Sequence, residues 1–244
     1  MRRIKLTLDY VGARYHGWQI QPGKDTVQKR LEDALTKLCG EEIHTIASGR
    51  TDSGVHALGQ VVHFDTNTDY PLVAYVRGTN NHLPPTIRVL SAEEVTEDFH
   101  ARFTAKKKTY MYRMYKGKEE RAVYSERAIR IDEIDTKAIN KACEYLLGEH
   151  DFTSFMSTGS DIKTTVRTIY EARWEESETE CRFFITANGF LYNMVRKIVA
   201  SLIRVGTGKM TVEEFRSKLD NPDILSLPFV APADGLYLVS VEYQ

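Results

Sequence analysis

Hydrophobic and polar residues alternate, or recur at helical spacing, along most of the chain. Residues 4–10 alternate between apolar and polar side chains, which predicts a half-buried strand. From Val27 the apolar residues recur every three or four positions, which predicts a helix with one buried face. Asp25–Gln28 resembles a capping box at its start, and Gly40 is the expected end.

The same criteria predict an element order that occurs twice. After the first strand and helix, the first half has strands at 42–47 and 58–64, a helix at 71–81 and a strand at 87–90. The second half has a strand at 107–116, a helix at 136–147, strands at 166–174 and 182–187, helices at 191–205 and 212–219, and a strand at 236–243. We therefore expect an α+β fold of two β-α-β-β-α-β (RRM-like) halves, residues 1–105 and 106–244. Adjacent, mainly antiparallel sheets would leave a central cleft between the halves.

Composition and charge narrow the class of protein. No apolar run is long enough to cross a membrane, and the amino terminus lacks the apolar core of a signal peptide. Cys39, Cys143 and Cys181 are scattered in apolar segments, which indicates reduced thiols in a cytoplasmic protein, and neither they nor the histidines show zinc spacing. The net charge of −1 argues against a protein that coats nucleic acid unspecifically, although basic clusters at 2–5 and 106–118 permit a basic cleft.

The segment from Gly49 to Ala57 concentrates reactive groups in a predicted loop between two strands. Asp52 has Arg50 before it, His56 after it and a glycine at either end of the loop. Glycine permits a tight turn and a close approach of ligand to backbone. An aspartate in such a loop can also simply close a turn by bonding its own backbone. Both interpretations stay open at this point.

Two further positions suggest nucleic-acid chemistry. Tyr110 follows the lysine triplet 106–108, and basic residues beside aromatic ones suit a phosphate-backed stacking site, although core packing is the commoner role of a strand tyrosine. Arg196 borders an apolar helix, where arginines usually reach out to solvent but can pair with a buried carboxylate.

The residues alone leave more than one function open. The fingerprints of serine hydrolases, P-loop proteins and dinucleotide-binding proteins are all missing from the sequence. A non-catalytic RNA-binding protein would use the same basic and aromatic residues, but it has no use for a carboxylate among phosphates. A metal-dependent nuclease is disfavoured because clustered acids are lacking.

Several motifs together resemble those of the tRNA pseudouridine synthase A family. Besides residues 49–57, the resemblance covers the motifs at 15–21 (Tyr-His-Gly-Trp-Gln-x-Gln), 99–103 (Phe-His-Ala-Arg-Phe), 108–112 (Lys-Thr-Tyr-x-Tyr), 151–155 (Asp-Phe-Thr-Ser-Phe) and 190–196 (Phe-Leu-x-x-Met-Val-Arg). It runs nearly from end to end. Thr86 and Ala200 depart from the family pattern, which often has aspartate and glycine there.

The resemblance implies a function and a set of site residues. It implies isomerisation of uridine to pseudouridine at positions 38, 39 and 40 in the anticodon stem and loop of tRNA, by a homodimer, without cofactor or metal. It implies Asp52 as the nucleophile, Arg196 as its partner, Tyr110 as the residue that stacks on the target uracil and Arg50 near the flipped nucleotide. Lys106, Lys107, Lys108 and His56 are further candidates for RNA contacts. Whether Asp52 attacks the base or the ribose C1′, or removes a proton after a glycal forms, is left open.

Overall fold

The computed structural model describes residues 1–159 and 162–243, which fold as two compact units. Unit 1 comprises Met1–Lys106 and Tyr237–Gln244, and unit 2 comprises Lys107–Leu236. Each unit combines helices with a mainly antiparallel sheet, so the fold is α+β as predicted. The units differ from the expected halves 1–105 and 106–244 at Lys106 and in the final strand, which belongs to unit 1 from Tyr237 onward.

Unit 1 follows the predicted order β-α-β-β-α-β and then receives the last strand of the chain. Its elements are β1 (Arg2–Tyr10), α1 (Val27–Cys39), β2 (Ile46–Ala47), β3 (His56–Thr66), α2 (Leu72–His82), β4 (Ile87–Val95) and β10 (Leu236–Glu242). Within this unit the strand order is β4-β1-β3-β10, with β2 paired to β3. The pairs are antiparallel except β10 with β3, where Tyr237 lies opposite His56. Ile4, Leu6 and Leu8 of β1 are fully buried, as their alternation predicts.

Helix α1 begins at Val27, as its apolar spacing predicts, but its capping residue differs from the expected one. The Thr26 hydroxyl, rather than Asp25, caps the helix by accepting a hydrogen bond from the Lys29 amide. Asp25 instead forms a bidentate ion pair with Arg30. Threonine and aspartate are both good capping residues, so neighbouring candidates are hard to separate by sequence.

The strand predicted at 42–47 is confined to its last two residues, Ile46–Ala47. Side chains of α1 accept hydrogen bonds from the backbone amides just before this strand. Glu32 accepts from the Thr45 amide at 2.7 Å, and Thr36 accepts from the Ile43 amide at 3.1 Å. These amides are therefore satisfied outside a sheet, although the alternation of buried and exposed side chains is retained.

Unit 2 contains the predicted elements and two short strands that the sequence analysis missed. Its elements are β5 (Lys107–Lys116), β6 (Ile129–Ile131), α3 (Thr136–Glu144), β7 (Gly148–Asp151), β8 (Val166–Glu176), β9 (Glu180–Ala187), α4 (Met194–Gly206) and α5 (Val212–Asp220). The strand order is β5-β9-β8-β7, and the short β6 pairs with β5 in parallel. The missed strands β6 and β7 are too short to show a reliable period of two.

Helix α4 supplies much of the core of unit 2, since Met194, Ile198 and Leu202 are fully buried. It begins at Met194 rather than Leu191, because Asn193 adopts a left-handed conformation with φ of 59°. Among residues 1–159 and 162–243, no helix is both long and apolar enough to cross a lipid bilayer.

Candidate functional site

Asp52 lies in the loop between β2 and β3 of unit 1, at the start of a tight turn. Its carbonyl oxygen accepts a hydrogen bond from the Val55 amide at 3.1 Å. Gly54 has a φ of +83°, a backbone conformation that an L side chain would strain. The Asp52 side chain is half-buried. The turn thus presents a half-buried aspartate on a defined backbone.

Two neighbouring glycines let other backbone segments pack directly against this loop. A Cβ on Gly12 would lie 1.9 Å from the Val55 carbonyl oxygen, and one on Gly17 would lie 2.7 Å from that of Thr51. The Trp18 amide also donates to the Thr51 carbonyl at 3.0 Å. Backbone atoms cannot relieve a close contact by changing rotamer as a side chain can, so these contacts restrict the position of the loop.

A buried polar cluster lies beside the same loop. The Tyr10 hydroxyl bonds the Thr51 hydroxyl at 2.8 Å, and the Gln60 amide donates to the Gly49 carbonyl at 2.9 Å. The Ser48 hydroxyl donates to the Gln60 side-chain oxygen at 2.7 Å. Burial raises the pKa of Tyr10 to about 12, so its hydroxyl keeps its proton at neutral pH.

The other two candidates of this segment lie in different surroundings. Arg50 is exposed, in a position to meet a ligand from solvent. His56 is only 1% exposed; its Nδ1 accepts from the Gly12 amide at 3.1 Å and its ring stacks on Tyr237 at 4.5 Å. Because the ring is buried against Gly12 and Tyr237, we do not carry His56 forward among the proposed RNA contacts.

Tyr110 lies on β5 of unit 2 and is half-buried. The Phe190 ring meets it edge-on, with ring centroids 5.0 Å apart and an interplanar angle of 84°. This contact limits how the Tyr110 ring can turn. Tyr112, two positions along the same face, is fully buried and belongs to the core.

Arg196 lies near the start of α4 and is held by several polar contacts. Its Nε donates to the Ala231 carbonyl at 2.7 Å, and one terminal nitrogen donates to the Asn193 side-chain oxygen at 3.0 Å. Tyr112 donates to the next carbonyl, that of Pro232, at 2.7 Å. Arg196 and Tyr112, which shares a strand face with Tyr110, thus both donate hydrogen bonds to the segment Ala231–Pro232 of unit 2.

The basic residues fall into two groups. Lys106 is exposed, Lys107 and Lys108 are half-buried, and the Lys107 ammonium lies 5.0 Å from the centre of the Tyr170 ring. The amino-terminal arginines, by contrast, are engaged within unit 1. Arg2 pairs with Glu94 and Arg3 with Asp65, each through two hydrogen bonds. We therefore do not count the amino-terminal cluster among the candidate RNA contacts, and the lysine triplet remains.

Within residues 1–159 and 162–243, no three His, Cys, Asp or Glu side chains are grouped so as to hold a metal ion. The three cysteines are buried and unpaired by disulfides.

Comparison with known proteins agrees with this arrangement of motifs. A family model described as tRNA pseudouridine synthase matches residues 7–104 and 142–244. The chain belongs to the tRNA pseudouridine synthase family. A relative named tRNA pseudouridine synthase A from Acetivibrio thermocellus is 42% identical over 244 residues, and one from Caldicellulosiruptor bescii is 43% identical over 245; both cover the whole of each chain.

Membership of this synthase family makes the protein an enzyme, an isomerase that acts on tRNA. The non-catalytic RNA-binding alternative is therefore set aside. A solved structure titled as an H/ACA RNP bound to a substrate RNA containing 2′-deoxyuridine aligns with 97% of this chain and 55% of its own. Its 10% identity and TM-score of 0.35 are too low to carry an argument.

The residues that contact the candidates were not predicted from the sequence. Tyr10 and Gln60 lie in predicted strands, and Asn193 lies in the helix predicted at 191–205. A glutamine followed by Val61 and Val62 in an apolar strand was the available signal, because a buried amide must find partners. Thr86, a departure from the family pattern, bonds the Tyr15 hydroxyl at 2.6 Å and so has a structural partner.

Proposed function

We propose that the protein isomerises uridine to pseudouridine at positions 38, 39 and 40 in the anticodon stem and loop of tRNA, with Asp52 as the nucleophile. The observation that supports this role most directly is the setting of Asp52. A half-buried carboxylate stands on a turn braced by the backbone of Gly12 and Gly17. Reactive groups require such fixed positions, whereas a carboxylate that merely closes a turn does not.

The reaction conserves atoms and electrons. The bond from uracil N1 to ribose C1′ breaks, a bond from C5 to C1′ forms, the hydrogen on C5 is lost as a proton, and N1 gains a proton. The base must stay in the site while it turns. A carboxylate that adds to the ribose or to the base provides a covalent route through this sequence of steps.

Arg50, Tyr110 and Arg196 have supporting roles in the proposal. The target uridine must leave its stack, which costs a few kcal/mol. A ring fixed by Phe190, as that of Tyr110 is, offers the flipped base a stacking surface. The Arg196 cation would keep Asp52 charged in a dehydrated complex. The exposed Arg50 would contact the flipped nucleotide.

Binding of a whole tRNA needs more than these residues. We propose that Lys106, Lys107 and Lys108 contact phosphates, since the triplet precedes Tyr110 on the chain. We also propose a homodimer located in the cytoplasm. The net charge of each chain is only −1, and two copies together would supply more contacts to one tRNA than a single copy.

Tritium release from tRNA transcripts made with 5-tritiated uridine tests the proposal, because the new bond at C5 must expel that hydrogen. We expect release from a transcript with uridine at positions 38, 39 and 40, and none when cytidine replaces those uridines. Release that persists in the cytidine transcript would place the reaction at another position. No release from several different tRNAs would contradict the proposed activity.

A further inference from the structure

Four buried side chains of unit 1 form a continuous polar chain around the base of the Asp52 loop. Ser48 donates to Gln60 at 2.7 Å, Gln60 donates to the Tyr10 oxygen at 3.4 Å, and Tyr10 bonds Thr51 at 2.8 Å. Ser48 and Gln60 are fully buried, and Tyr10 and Thr51 are 4% and 6% exposed. Tyr10 comes from β1 and Gln60 from β3, and the other two members lie in the part of the loop that precedes Asp52.

The chemistry of these groups limits the directions of the hydrogen bonds. The Gln60 amide nitrogen is a donor, so Tyr10 accepts from it, and either hydroxyl can donate in the bond between Tyr10 and Thr51. The same amide donates to the Gly49 carbonyl at 2.9 Å. One buried glutamine thereby fixes the loop before Arg50, and through Tyr10 it fixes the residue immediately before Asp52.

Such a cluster does more than fill space. An apolar core would serve packing equally well, and a buried polar group costs free energy unless its partners are in place. A fully satisfied network instead holds its members in one geometry. Here the members that it holds are the neighbours of the proposed nucleophile on the chain.

We propose that Tyr10, supported by Gln60, is a positioning residue for Asp52 and acts through its hydrogen bond to Thr51. This inference rests on the proposed role of Asp52. A displacement of about 1 Å at a reacting group can cost about 100-fold in rate. Loss of the Tyr10 hydroxyl should therefore reduce the rate of the chemical step far more than it reduces tRNA binding.

Unit 1 contains a matched control for this substitution. Tyr75 is also fully buried, and its hydroxyl also bonds a threonine hydroxyl, that of Thr68, at 2.8 Å. It lies on α2 and has no contact with the Asp52 loop among its described hydrogen bonds. Tyr10→Phe and Tyr75→Phe therefore delete the same atom from similar surroundings, and only the first lies next to the proposed nucleophile.

The experiment measures single-turnover tritium release, tRNA affinity and melting temperature for both variants and for Asp52→Asn. We expect Tyr10→Phe to lose at least 10-fold in rate with unchanged affinity, and Tyr75→Phe to lose less than 2-fold at a similar melting temperature. Thr51→Val should reproduce the loss without adding to that of Tyr10→Phe, and Thr51→Ser, which keeps the hydroxyl, should lose less than Thr51→Val.

The outcomes separate this inference from the proposed function. Equal rates for Tyr10→Phe and Tyr75→Phe, with Asp52→Asn inactive, would overturn the positioning role alone. Full additivity of the Tyr10 and Thr51 substitutions would also overturn it, because the two would then act independently. An active Asp52→Asn variant would refute the proposed nucleophile instead.

Discussion

Substitution of Gly12 by alanine should impair catalysis through a contact remote from the substrate. The added Cβ would lie 1.9 Å from the Val55 carbonyl oxygen and 2.4 Å from its carbon. Real Cβ atoms essentially never come closer than 3.0 Å, so the Gly12 segment and the turn that begins at Asp52 must move apart by about 1 Å. A shift of that size at a reacting group costs about 100-fold in rate, or about 2.7 kcal/mol in activation free energy.

The assay is single-turnover tritium release from tRNA, with a thermal melt of each variant. Gly78→Ala is the matched control, because its Cβ would meet only the flexible end of Leu38, at 2.6 Å, on a helix that favours alanine. We expect Gly12→Ala to lower the melting temperature by a few degrees and the rate by about 100-fold. A rate within about 3-fold of the wild type would refute the claim that this backbone contact places Asp52.

Three further predictions follow from the site and its surroundings. Changing Lys106, Lys107 and Lys108 together to glutamine should reduce the slope of log Kd for tRNA against log salt by about 2. Arg2→Gln removes a cation that is already paired with Glu94, so it should leave the slope unchanged. Equal effects of the two changes would refute the assignment of the three lysines to phosphate contacts. Tyr110→Ala should lose about 1–3 kcal/mol of stacking that Tyr110→Phe keeps, and if both are equally inactive, the hydroxyl matters rather than the ring. Burial lowers the pKa of His63 to about 4, so only the unfolded state takes up a proton on this side chain as pH falls from about 6.5. The free energy of unfolding should therefore decline by up to about 3 kcal/mol between about pH 6.5 and 4, and by less in His63→Gln. Thermal melts of both proteins across this pH range measure the decline.

The sequence was sufficient for the elements with strong periodicity, and it singled out residues with distinctive chemistry as candidates for the site. Strand β5 has the predicted bounds, Lys107–Lys116, and α1 differs from its prediction only at its cap. Asp52 and Tyr110 stood out because their neighbours on the chain are unusual for a turn or a core strand.

What the sequence could not supply depends on contacts between distant segments. Strand β2 is shorter than predicted because the Glu32 side chain accepts a hydrogen bond from the Thr45 amide. His56 looked like a loop residue, yet it starts β3 and is enclosed by the segment of Gly12 and by Tyr237 from the last strand. Neither partner is near in sequence, so no local pattern reveals the contact.

Asp52→Asn tests the proposed role of Asp52 as a charged nucleophile most directly, because the change keeps the shape of the side chain and removes its charge and nucleophilicity. Tritium release should be abolished, while the melting temperature and the affinity for tRNA stay close to those of the wild type, since loss of a negative charge does not weaken attraction to phosphate. Asp52→Glu, which displaces the carboxylate by one methylene, should fail as well. Robust tritium release by the asparagine variant would contradict this role and exclude Asp52 as the nucleophile.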